Sequence, residues 1–68
     1  MRLVRGADQP HVWLVIGMFK HHITAEFYPH WLNVARGTPG AVDQAGNEFI
    51  WPQRMVDSLV DTATLARR

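Results

Sequence analysis

The run VWLVIGMF, from Val12 to Phe19, carries no polar side chain over eight residues. It is β-branched and aromatic, lies between Pro10 and Lys20, and is too short for a buried helix or a membrane span, so it predicts a strand. Alternation sends Val12, Leu14, Ile16 and Met18 to one face and Trp13, Val15 and Phe19 to the other, with Gly17 leaving a gap for close approach or a bulge. A strand apolar on both sides needs cover on both sides. This demand falls on a chain of 68 residues. Such a chain buries only about 60% of the surface its unfolded form exposes. With no cysteine, disulfides and thiolate metal sites are both excluded, which leaves a second subunit or a histidine-bound metal as added support.

Around that strand the chain reads as one domain, residues 1–68, without repeats or low-complexity tracts. Residues 1–10 read as a lead-in arm with little to bury, 11–51 as mainly β, and 52–66 as a C-terminal helix. After Lys20, Ile23, Ala25 and Phe27 alternate with His22, Thr24, Glu26 and Tyr28, predicting a second strand to Tyr28. A helical stripe of Ile23, Phe27, Trp31 and Val34 competes with it, but Pro29 opposes a helix running through that position. His30 to Arg36 is then a further strand or a short helix opened by Pro29. Residues 36–41, RGTPGA, form a turn, and AVDQAGNEFIW, 41–51, reads as a hairpin whose Gly46 suits a positive φ. From Pro52, placed for the first helical position, Met55, Val56, Leu59, Val60, Ala63 and Ala66 fall on one arc. Arg67 and Arg68 would meet the negative end of that helix dipole, and Leu65 falls on its polar side, where it would fray or touch another chain.

The chemistry on offer is sparse. His22, Glu26 and His30 are spaced by four, which places two imidazoles and a carboxylate, suitable ligands for zinc or iron, on one face of either a helix or a strand. On a strand, residues four apart stand about 13 Å from one another, too far to share an ion, so only the helical form would serve. His11 reads as a strand-end residue with a backbone partner. Ser58, the only serine, lies within the helical pattern and offers no evident nucleophile; Asp43 and Glu48 read as turn and surface carboxylates; GTPG lacks the lysine and the hydroxyl after it that a Walker motif carries. Three Trp, three Phe and one Tyr are many for this length. Aromatic groups of this kind favour interfaces, and beside arginines they stack on single-stranded bases. The net charge of only +1, with scattered cations, speaks against nucleic acid and against anionic membrane.

The sequence therefore predicts an α+β fold, an antiparallel sheet of about four short strands with one C-terminal helix packed on one face. A second copy would cover the other face, giving a symmetric homo-oligomer of two or more chains. The expected role is a non-enzymatic binding or regulatory module that recognises a protein or small ligand, without a cofactor and in the cytoplasm. Trp13, Tyr28, Trp31, Arg36 and Trp51 are the expected ligand-binding residues. The alternatives are a nucleic-acid-binding protein using the aromatic and arginine side chains, and a metal-dependent enzyme built on His22, Glu26 and His30. Histidines on a wet face also make pH dependence near the reference imidazole value of about 6.5 an expectation.

Overall fold

Leu3 and Val4 are adjacent, fully buried, and point to opposite faces of one sheet. The computed structural model, which describes residues 1–66, places them in β1 (Arg2–Gly6), flanked in the sheet by β4 on one side and β2 on the other. The supposed lead-in arm is thus an interior strand. β2 (Val12–Ile16) runs antiparallel to β1, and β3 (Phe19–Ile23) antiparallel to β2. What reads in the sequence as one strand ending at Phe19 is a hairpin. Gly17 and Met18 form its two-residue turn, and Gly17 takes φ of 59°, the conformation that favours glycine at the first central position of a tight hairpin.

Beyond Ile23 the strand stops. The Thr24 carbonyl accepts the N–H groups of Phe27 and Tyr28, both at 3.0 Å, and this turn leads into α1 (Tyr28–Arg36). Pro29 lies in the first turn of α1, where its missing N–H has no intrahelical role to lose, so the helical option for 30–36 prevails. Phe27, expected to face the core, is exposed.

The expected hairpin over 41–51 is absent. Asp43 instead closes a compact loop: its carboxylate accepts the N–H groups of Ala45 (2.9 Å) and Asn47 (3.0 Å), and its own N–H donates to the Asn47 carbonyl. Gly46 within this loop has the positive φ expected of it, 79°. Ala41, fully buried, accepts the Leu3 N–H on its carbonyl, and β4 (Phe49–Trp51) then pairs in parallel with β1.

The single C-terminal helix is also replaced. α2 (Gln53–Asp57) ends where the Ser58 hydroxyl donates to the Met55 carbonyl at 2.7 Å, a local side-chain bond that competes with continued helix. β5 (Val60–Asp61) pairs in parallel with β3, and α3 (Thr62–Ala66) begins with the Asp61 carboxylate accepting the Ala63 N–H at 2.9 Å. The expected contacts of the Leu65 side chain, and of Arg67 and Arg68, lie outside what the structure describes.

Over the described residues the fold is therefore a five-stranded mixed sheet in the order β4-β1-β2-β3-β5 with three short helices, which corrects the expected four-stranded antiparallel sheet under one helix. The physical reason lies in the connections. From β3 the chain crosses one face through α1 to reach the far edge at β4, then returns over the other face through α2 to β5. Leu3, Leu14, Ile23, Ala35 and Ala41 form the core under α1, joined by Tyr28, Trp31 and Leu32. Val4, Val15 and Val56 form the core under α2, with Trp13, Phe49, Trp51 and Leu59 around them. The face assignment of Val12 and Leu14 against Trp13 and Val15 stands, but both faces are covered by the chain itself. Among the described residues no helix is long and apolar enough to cross a membrane.

Candidate functional site

The hairpin register decides what meets at the end of the sheet away from the Gly17 turn. His22 lies opposite Trp13 and shares its α2 side of the sheet, and His11, just before β2, brings its ring beside that of His22. The His11 and His22 rings are 5.3 Å apart between centroids and meet edge to face at 77°; His22 and Trp13 are 5.2 Å apart. On the inner side of Trp13, the Lys20 ammonium stands 4.5 Å from the ring centroid and donates to the Val56 carbonyl at 2.9 Å. Lys20 is the one buried charged residue among those described, at 8% exposure. A cation over an indole face and a charge-assisted hydrogen bond together offset the cost of taking the ammonium out of water.

Two grooves adjoin the histidine pair. One, of about 680 Å³, lies between β3 and α3 and is lined by Trp13, His21, Asp61 and Thr62 as well as His11 and His22. His21 points to the opposite side of the sheet from His22, and its Nδ1 lies 3.1 Å from the Thr62 hydroxyl. The second groove, of about 560 Å³, has apolar walls of Val12, Ile23 and Ala25, with Tyr28 and Glu48 as its polar end and His11 and His22 as its boundary with the first. The Tyr28 hydroxyl donates to Glu48 Oε2 at 2.7 Å, and Arg5 Nε stands 3.8 Å from the other carboxylate oxygen. The hydrogen bond to Glu48 is the main reason that the Tyr28 phenol is pushed up to about 12; burial and the Glu48 charge add to it, while Arg36 and Arg5 oppose it.

Of the five expected ligand-binding residues, Trp13 and Tyr28 line these grooves, one on each side of the histidine pair. The others are elsewhere. Trp31 packs into the core under α1, Trp51 packs under α2 and borders a separate depression with Met1 and Arg2, and Arg36 Nε donates to the Gly46 carbonyl at 2.8 Å, bracing the Asp43 loop. Nor are His22, Glu26 and His30 gathered. His22 is on β3, Glu26 in the turn after it, and His30 in α1 against Trp31. Among the described residues no three His, Cys, Asp or Glu side chains stand together as a metal-holding group. His11, Asp61 and Thr62 line these grooves and are not among the residues expected from the sequence. The available signal was the Gly17-Met18 turn, which fixes the register, and the Asp61-Thr62 start of α3. Compared with protein-family models, curated proteins and solved structures, the chain matches none.

Proposed function

We propose that the chain is a small, non-enzymatic binding module that takes a ligand at the end of the sheet where the two grooves meet. The observation that carries this reading is the sharing of His11 and His22 by two adjoining grooves of about 680 and 560 Å³. Each is within the size range of small-molecule sites, and each combines apolar walls with a few convergent polar groups. Trp13 and Ile23 offer apolar contact; Tyr28–Glu48, Asp61, Thr62 and the imidazoles offer donors and acceptors. A molecule, or a protein side chain, with an apolar body and hydrogen-bonding ends suits this lining. Screening metabolites and short peptides by indole fluorescence and amide chemical shifts tests it. A true ligand shifts Trp13 and His22 together, is lost in Trp13→Phe, and is retained in Trp51→Phe. Ligands that move only Trp31 or Trp51 would place binding elsewhere and defeat the reading.

Self-association is the second part of the proposal, and its basis is the hairpin tip and not an uncovered strand face. Ile16, Phe19 and Val60 are register partners across β2, β3 and β5, and with Met18 they leave an exposed apolar row at the hairpin tip. A second copy meeting this row would form a homo-oligomer. Light scattering across a concentration series checks it: mass should rise with concentration in the parent chain and stay at the monomer value in Met18→Lys. A monomer throughout would remove this part.

A further inference from the structure

His22 does have a second imidazole beside it, that of His11, rather than the residues that its spacing suggested. We propose that His11 and His22 together bind a divalent transition-metal ion of the class that imidazole nitrogen favours, such as zinc, nickel or copper. With metal–nitrogen bonds of about 2.0–2.1 Å and a tetrahedral angle, two imidazoles on one ion have their ring centres about 5 Å apart. The His11 and His22 centroids are 5.3 Å apart.

Register and exposure support the pair. His22 projects from β3 opposite Trp13, and His11, one residue before β2, brings its ring against that of His22, so the strands hold the pair close while the exposed rings remain free to turn. Both residues are exposed, and rotation about χ2, a broad torsion in histidine, turns one nitrogen of each toward a common point at little cost. The flanking grooves leave room for the remaining coordination positions. Asp61 borders one groove and Glu48 the other, yet neither stands as a third donor with the two histidines, so the ion keeps water or an outside ligand at two or more positions. His21 faces the other side of the sheet with Nδ1 against Thr62 but borders the same groove, whereas His30 is on α1 beside Trp31, outside both grooves, and is the internal control. The chain has no cysteine to compete for the ion. The inference rests on the two side chains alone and is independent of whether an organic ligand occupies the grooves.

The test titrates the full chain with zinc chloride by calorimetry and with nickel chloride by NMR of the histidine ring protons. One zinc per chain is expected, with nickel broadening the His11 and His22 resonances most and leaving those of His30 sharp. His11→Ala and His22→Ala should each weaken zinc binding by tenfold or more, while His30→Ala leaves it unchanged; thermal melts confirm that each variant folds. The nickel broadening needs no variant and decides the matter if any variant fails to fold. No heat at millimolar zinc, broadening of all four histidines alike, or undiminished binding in the His11→Ala, His22→Ala double variant would each overturn the proposal.

Discussion

Replacing Leu3 by alanine separates the observed fold from the arm-and-sheet expectation most sharply. Leu3 is fully buried in the interior strand β1, surrounded by Leu14, Ile23, Ala35 and Ala41. Buried Leu→Ala changes cost about 2–5 kcal/mol, the spread reflecting how far the surroundings collapse into the space left behind. Here two of the neighbours are alanines, whose side chains cannot swing inward, and a third sits on a strand held on both sides. The cost should therefore reach about 3 kcal/mol or more. At about 0.05–0.15 kcal/mol per residue, a chain of this size has about 3–10 kcal/mol of stability in all. The variant should lose a third or more of that, and its Tm should fall by about 12 °C or more at about 4 °C per kcal/mol. Circular dichroism melts and urea titrations of the two proteins measure it, with Met18→Ala, at an exposed tip position, as a control expected to stay within about 0.5 kcal/mol. A Leu3→Ala melt within about 4 °C of the parent would refute the placement of β1 in the core.

Other perturbations address separate contacts. The single tyrosine can be titrated by its phenolate absorbance, and in the folded chain the midpoint should lie near 12 rather than 10, returning toward 10 in Glu48→Gln. Because the folded value is raised, the Tyr28–Glu48 bond contributes its full stability below pH 10 and loses it as pH rises through about 12, so a midpoint near 10 would deny the bond. Gly17→Ala should cost about 1–2 kcal/mol from the positive φ alone, since an added Cβ meets no atom within 4 Å; Gly17→Asn should cost less, and equal losses would contradict this turn. Lys20→Met removes a buried charge without orphaning the Val56 carbonyl, which still accepts the Leu59 N–H at 3.1 Å. It should change stability by less than about 1 kcal/mol, and a urea-measured loss above about 2 kcal/mol would show that the ammonium is a net stabiliser.

The residues that sequence reading placed well are those whose signal is local. Val12 to Val15 alternate between two cores because period two needs only the strand itself. Gly46 takes its positive φ, and Pro29 opens a helix, from constraints within one or two residues. The failures have the opposite character. β1 has only two apolar residues, Leu3 and Val4, set between arginines, too few for a period to show; one of those arginines lies 5.6 Å from the Phe49 ring centroid, and the other near Glu48. Its burial depends on β4, a parallel partner some forty-five residues away, which leaves no local trace. The helical arc assigned to 52–66 is real through Val56, but Val60 has a partner strand waiting in β3, and pairing outweighs propensity there. The site followed the fold. Once Gly17-Met18 is taken as a turn, His22 must lie opposite Trp13 and beside His11; read as mid-strand, the same residues leave His22 with only its sequence neighbours for company.

That turn also relocates the question of what the chain leaves uncovered. A strand apolar on both sides in a small chain suggested an open face needing a second copy, and two crossovers answer it: α1 over Leu14, α2 over Val15. Neither crossover reaches the tip. α2 has five residues and α1 nine, and the row Ile16, Phe19 and Val60 lies outside both cores, with Ile16 at 59% and Met18 at 69% exposure. The apolar demand that remains is therefore a short row at one end of the sheet. Stable association takes about 800 Å² from each partner, and four half-exposed side chains fall well short of that. Contact through the tip alone would thus be weak and concentration-dependent, and a tight assembly would have to recruit a further surface, such as the open edge of β4 where Ile50 is exposed.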